Sequence, residues 1–199
     1  MAVSIDEIKR LKALTGIGLT DAKAALVEAD GDFDKALESL RKKGLTKAEK
    51  KGEREARQGI VDSYVHSERI GVILEVNCET DFVARTEGFK AFVHDIAMHI
   101  AAAAPEYISL EDVPQSDKDT KKAEFTEKAK NDGKPENMLE NIVEGMLKKH
   151  FAEKCLLEQP YIKNPDQKVN DFLKENITKF GENTVIRQMA RIELGQVTS

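Results

Sequence analysis

The chain has 199 residues, 40% hydrophobic and 34% charged, with a net charge of −5. This is room for one medium domain and a small one, each with a well-solvated surface. The acidic balance argues against nucleic acid as the main partner, and no run is apolar for the length of a membrane span. The first residues enter a capped helix pattern rather than a basic-then-apolar leader. Tryptophan is absent, so the expected core is mainly aliphatic. Cys78 and Cys155 lie far apart without metal-ligand spacing, and a reducing cytoplasm is the simplest compartment.

Residues 4 to 44 read as three short helices. Ser4 and Glu7 form a capping box, and Ile5, Ile8, Leu11 and Leu14 mark one face. Thr15-Gly16-Ile17-Gly18-Leu19 reads as a tight loop. Thr20 is the expected cap of the second helix, with Ala22, Ala25, Leu26 and Ala29 inward and Gly31 as its break. Asp32 caps the third helix, whose inward face is Phe33, Ala36, Leu37 and Leu40. Arg41, Lys42 and Lys43 suit its C-terminal dipole, and Gly44 is the expected stop. Residues 1–45 are thus one small module, too small to bury much, with a face suited to recognition.

Residues 46–58 alternate Lys47, Lys50, Lys51, Arg54 and Arg57 with Glu49, Glu53 and Glu55, the pattern of a charged linker or solvated helix. Gly59 to His66 and Arg69 to Cys78 read as a β-hairpin turning at Ser67-Glu68. In the second strand Ile70, Val72, Leu74 and Val76 share a face by the period of two. The apolar run then turns abruptly polar at Asn77-Cys78-Glu79-Thr80-Asp81-Phe82-Val83-Ala84. A carboxylate and a large aromatic therefore sit at a strand-to-helix junction, where a rigid scaffold can present them.

Thr86 is the expected cap of a long helix with a broad apolar stripe: Phe89, Phe92, Val93, Ile96, Ala97, Ile100 and Ala101. Pro105 stops it. Residues 116–157 read as a protruding helical, coiled-coil hairpin. It turns at Asn131-Asp132-Gly133-Lys134, and Pro135 takes the first position of the second arm. Its seam is sparse: Ala123, Phe125 and Ala129 face Met138, Leu139, Ile142, Val143, Met146 and Leu147. An extended passage from Leu156 to Pro165 leads to a last helix, with Val169, Phe172, Leu173 and Ile177 inward and Gly181 at its end. Thr184 to Leu194 reads as a strand, with Ile186, Ala190, Ile192 and Leu194 on one side. The class is α+β, and residues 59–199 form an antiparallel sheet backed by helices.

Few constellations carry covalent chemistry. There is no phosphate-binding glycine loop, so no nucleotide of its own is expected. His94 and His99 are five apart and face different ways on a helix, which makes a zinc site improbable. No Ser-His-Asp or Cys-His arrangement is evident, and neither catalysis nor a cofactor is expected. On its own residues, Thr80-Asp81-Phe82-Val83 reads as a helix cap with a core phenylalanine, or as a presented tip.

That run resembles the T-D-F-V motif of elongation factor Ts, the nucleotide-exchange factor of elongation factor Tu. The resemblance extends to Ile73-Leu74-Glu75-Val76-Asn77-Cys78, Ile96-Ala97-Met98-His99, Gly133-Lys134-Pro135, Val143-Glu144-Gly145, Gln159-Pro160 and Gly181-Glu182-Asn183. The first helices resemble the ubiquitin-associated-like domain that opens that family, in Leu11, Thr15 to Leu19, Asp21, Lys23, Gly31-Asp32, Leu40-Arg41 and Gly44.

The resemblance implies that Asp81 and Phe82 enter the partner GTPase near its Mg²⁺ and help dislodge that ion. Thr80 and Val83 would shape the turn. It implies a grip by Leu11, Leu19 and Thr20 on a helix of the partner. Ser63-Tyr64 with His66 resembles a second contacting strand of longer members, which makes His66 a candidate contact. Longer members carry two related core halves; here both signatures share one hairpin, so a single core and a homodimer are implied. The implied partner is elongation factor Tu with GDP, in the cytoplasm, with no membrane or direct nucleic-acid contact. Three other classes compete: an adaptor using the helical module, an RNA-binding protein using the basic residues of 41–57, and a metabolic enzyme, which lacks any visible site.

Overall fold

The computed structural model describes residues 3–15 and 17–196, apart from the side chains at 41, 45–47 and 49–50. The Gly16 part of the expected loop and the side chains of Arg41, Lys47, Glu49 and Lys50 lie outside the described residues. The chain is α+β and divides into two compact units, which several elements traverse. The first comprises residues 1–62, 74–95 and 171–187; the second comprises 63–73, 96–170 and 188–199.

The first unit opens with α1 (Ile5–Thr15), α2 (Leu19–Glu28) and α3 (Phe33–Lys51). Leu11, Ala22, Ala25, Leu26 and Ala36 form their core, with Ile8, Ile17, Ala29, Phe33, Leu37 and Leu40 packed around it. Ile5 and Leu14, expected inward, are exposed. The bundle is so small that its buried stripe is one turn wide, and the outer members of the apolar face miss it. The Ser4 hydroxyl accepts from the Asp6 N–H and the Asp32 carboxylate from the Lys35 N–H, as N-caps do. Thr20 does not cap α2: Gly18 occupies that position without a side-chain bond.

Gly44 does not end α3, which runs on to Lys51 through the first part of the charged stretch. The glycine serves close approach instead. Thr178 Oγ1 donates to the Gly44 carbonyl at 3.1 Å, and a Cβ at Gly44 would sit 3.4 Å from that oxygen. That threonine belongs to α8 (Val169–Phe180), so α3 and α8 touch backbone to side chain.

The sheet has the order β1 (Gln58–His66), β2 (Ile70–Cys78), β5 (Thr184–Glu193), with β2 central. Ser67 and Glu68 both take positive φ, the mirror-image turn that suits a two-residue hairpin. The Leu194 N–H donates to the Arg69 carbonyl and Arg187 Nε to Asn77 Oδ1, so β5 runs antiparallel to β2. On β2, Val72, Leu74, Val76 and Cys78 are buried and Ile73 is exposed, as alternation predicts. Gly59 has φ +149°, and a Cβ there would overlap the Val76 carbonyl oxygen. Only glycine lets β1 begin so close to the centre strand.

On β5 the expected face holds only at its start. Thr184 and Ile186 are buried, then Arg187 and Gln188 are both exposed and the phase inverts. Ile192 and Leu194 end up exposed. Arg191 points inward instead, donating through Nε to the Ala101 carbonyl and pairing with Glu193 at 2.8 Å. A last-turn carbonyl that needs a donor has outbid the apolar pattern.

Helix α5 (Glu87–Ala103) buries Phe89, Phe92, Val93, Ile96, Ala97 and Ile100. Thr86 caps it, accepting from the Phe89 N–H at 3.2 Å. In the first unit, Phe89 stacks on Phe180 at 5.5 Å and Phe92 on Phe172 at 5.3 Å, locking α5 to α8.

In the second unit, α6 (Gln115–Asn131) and α7 (Leu139–Lys154) make the helical hairpin, turning at Gly133 with φ +70°. Its buried residues are Ala129, Val143 and Phe151; Ala123 and Met138 are exposed. Pro135 precedes a short 3-10 turn, Glu136–Met138, rather than opening α7. The passage after α7 is not simply extended. It makes a second 3-10 turn, Leu156–Glu158, then the small pair β3 (Pro160–Tyr161) and β4 (Asn164–Lys168).

His99 anchors that pair. It is fully buried; its Nδ1 accepts from the Ile162 N–H at 3.3 Å and its Nε2 therefore donates to Gln159 Oε1 at 2.9 Å. Burial lowers its pKa below the usual 6.5, against the opposing pull of the Gln159 bond. Below pH 6.5 the unfolded chain binds the proton more readily, so stability present above that pH declines as pH falls. One such group contributes at most about 1.4 kcal/mol per pH unit. Urea midpoints measured between pH 7.5 and 5.5 should fall for the native chain and fall less for His99→Gln.

Candidate functional site

The site is built at the end of β2, the most enclosed strand. Its last residues Val76, Asn77 and Cys78 are buried, so the chain leaves the sheet from a fixed point. Thr80 then takes extended backbone angles, φ −128° and ψ 154°, and caps α4 (Asp81–Ala84). The Thr80 hydroxyl accepts from the Val83 N–H at 3.4 Å. At the other end, Thr86 Oγ1 donates to the Val83 carbonyl at 2.8 Å and also accepts from the Phe89 N–H. One hydroxyl thus closes α4 and opens α5.

A helix of four residues does not hold itself: nucleation is unfavourable, and isolated helices below about 12 residues are marginal. Here the support comes from far along the chain. Glu182, between α8 and β5, accepts from the Thr80 N–H at 3.0 Å and from the Thr80 hydroxyl at 2.6 Å. In return Glu79 accepts from the Asn183 N–H at 2.6 Å. The Asn183 side chain donates to the Gly52 and Arg54 carbonyls, and Arg54 approaches Glu79 at 3.6 Å. Two junctions thus exchange carboxylates across each other's backbone. Charge-assisted bonds of this kind contribute about 1.5–3 kcal/mol each.

The product is a phenylalanine held in water. Phe82 is 82% exposed, the most exposed of the large hydrophobic side chains described. Its neighbour Ala84 is buried, so the turn is anchored on one side and bare on the other. The core reading of Phe82 is therefore incorrect, and the presented-tip reading fits. Asp81 is half-buried and pairs with Arg85 at 2.9 Å. An open ion pair of this kind contributes under about 1 kcal/mol, so the carboxylate is easily redirected.

The other sequence candidates are scattered. Leu11 is completely buried at the centre of the three-helix cluster, so it supports that module rather than offering it a surface. Leu19 and Thr20 are exposed side by side at the start of α2. His66 is exposed at the end of β1, where its Nδ1 shares a hydrogen bond of 2.9 Å with the Tyr64 hydroxyl. Glu182 and Asn183 were matched only as part of a family run, and nothing in the linear pattern singled out Glu182 across 102 residues.

Cys78 is buried beside the tip, donates weakly to the Thr80 carbonyl, and has its thiol pKa pushed up by burial and by Glu182. Cys155 is likewise buried, its pKa raised to about 11 by burial first. Among the described residues no group of three His, Cys, Asp or Glu could hold a metal ion. Among them, too, no helix is long and apolar enough to cross a membrane.

Comparison with known proteins identifies the family. A family model described as Elongation factor TS matches residues 45–196. A protein of Carboxydothermus hydrogenoformans named Elongation factor Ts is 54% identical over 190 residues, covering 95% of this chain and 88% of its own length. The Elongation factor Ts of Thermoanaerobacter sp. (strain X514) is 52% identical over 98% of this chain and 96% of its own. That of Geobacter sulfurreducens is 49% identical over 98% and 91%. Such agreement, end to end, puts the chain among the translation elongation factors. It belongs to the elongation factor Ts family.

The cap itself is testable. Thr80→Val keeps the shape but removes both the acceptor for Val83 and the donor to Glu182. Loss of an N-cap costs about 1 kcal/mol and loss of the bond to Glu182 about 1.5–3 kcal/mol, so the Val83 amide should exchange with solvent at least several-fold faster and the melting temperature should fall by about 5–15 °C. Unchanged protection at Val83 would show that the hydroxyl does not hold the turn.

Proposed function

We propose that this chain is a guanine-nucleotide exchange factor. It binds elongation factor Tu carrying GDP, displaces the Mg²⁺ that helps hold the nucleotide, and lets GDP leave so that GTP can enter. The observation that carries this reading is the exposure of Phe82 on a turn held rigidly from behind.

Phe82 acts as a wedge between partner side chains. Burying it on contact is worth about 1.5–3 kcal/mol. At 1.4 kcal/mol per factor of ten, that weakens GDP by about ten- to a hundredfold, if the gain is made only in the nucleotide-free state. Asp81 leaves its weak pair with Arg85 and displaces or repels the groups around Mg²⁺ and phosphate. Thr80 and Val83 shape the turn. The coupling is reciprocal: as the factor weakens GDP, GDP weakens the factor.

Residues 1–45 form the module that grips a partner helix, through Leu19 and Thr20 with Leu11 holding them from inside. His66, its ring oriented by Tyr64, adds a further contact. The chain makes and breaks no covalent bond in this role, needs no cofactor, and works in the cytoplasm without nucleic acid or membrane. Phe82→Ala should slow GDP release from elongation factor Tu, followed with a fluorescent GDP, by more than it weakens the complex. Equal loss of rate and affinity would count against the wedge.

A homodimer fits the same reading. In the second unit Ile73, Ile192 and Leu194 are exposed, and the Leu194–Arg69 bond sets them on one face of the sheet. Exposed apolar side chains on one sheet face suit an interface, and a two-fold pair would cover each copy's face with the other's. Ile73→Glu with Leu194→Glu should convert the dimer to a monomer by sedimentation velocity. A native chain that sediments as a monomer at high micromolar concentration would refute the pairing.

A further inference from the structure

The geometry points to Glu182 as the positioning residue that makes the Asp81-Phe82 tip effective. This rests on the reading of Phe82 as a wedge, and adds the part of the molecule that aims it.

The reasoning starts from what α4 lacks. It has four residues, and the side chain it displays is 82% exposed. Its direction is set by its first turn, hence by the Thr80 hydroxyl. That hydroxyl has one proton and two lone pairs. The hydroxyl donates to Glu182 Oε1 at 2.6 Å, which leaves a lone pair to accept from the Val83 N–H. Glu182 Oε2 holds the Thr80 N–H at 3.0 Å, so the backbone is fixed by the same carboxylate. Without Glu182 the hydroxyl rotates freely and competes for other acceptors, and the Thr80 N–H loses its partner.

Glu182 is itself placed firmly. It follows Gly181, whose φ of +76° ends α8, and precedes Asn183, which is buried and bonded to Glu79, Gly52 and Arg54. The stiffness of α8 and of β5 therefore reaches the tip through one side chain. Glu182 would not touch the partner; it acts through Thr80.

The test uses the full chain. No tryptophan is present, so Phe82→Trp installs a single reporter whose time-resolved anisotropy reads the mobility of the tip. Adding Glu182→Ala should free that reporter on the nanosecond scale. In the otherwise native chain, Glu182→Ala should lower the maximal rate of GDP release from elongation factor Tu about tenfold, as misaiming does. The affinity of the complex should stay within about threefold, because the contact surface is intact. Glu182→Gln keeps one oxygen acceptor and should lie between, at about a threefold loss of rate. Circular dichroism checks folding; if the alanine variant does not fold, Glu182→Gln carries the comparison with the same expected direction.

An unchanged reporter overturns the inference, as does a loss of rate and affinity in equal measure. Phe82→Ala separates the two readings. If it slows release and the Glu182 variants do not, positioning by Glu182 is wrong and the wedge stands. If Phe82→Ala itself is without effect, the wedge fails and this inference with it.

Discussion

The structure turns on a pair of crossed carboxylates. Glu182 binds the backbone where β2 gives way to α4, and Glu79 binds the backbone where α8 gives way to β5. Each junction is a place where the chain leaves regular structure and its amides need partners. Each supplies the anion that the other lacks. A single contact would act as a pivot; two acceptors a few residues apart resist rotation as well as separation. Everything displayed beyond Thr80 inherits that stiffness.

This arrangement reconciles two demands that usually conflict. A side chain kept exposed has to be held in place, yet an exposed aromatic gains nothing from its own fold. The molecule therefore holds Phe82 by its neighbours. Ala84 is buried behind it, Thr80 is bonded before it, and Thr86 closes the turn after it. The carboxylate of Asp81 is held only by its exposed pair with Arg85. Rigidity sits in the frame and availability in the tip.

Much of this frame was legible. β2, α5 and α8 stand where alternation and the 3.6-residue stripe put them, because each buries an apolar face and that demand is written locally. The junction at Thr80 was legible for a similar reason, since an abrupt change of polarity after a buried strand has few structural meanings. Gly44 misled because a glycine at a basic helix end usually stops it, whereas here it makes room for Thr178. The outer half of β5 misled because Arg191 turned inward to a helix-end carbonyl, carrying the strand's phase with it. Ile5, Leu14 and Leu11 show the same limit: a stripe tells which side faces in, but not how far the core extends.

By itself the sequence determined the elements, the α+β class, and the place where an acid and an aromatic meet at a strand's end. Periodicity and caps are interactions within a few residues, so they can be read along a line. Only the tertiary structure decided that Phe82 stands exposed, that Leu11 does not, and that Glu182 bonds to the cap. Whether a side chain is covered, and which carboxylate reaches an amide 102 positions away, depends on how distant segments are brought together in three dimensions.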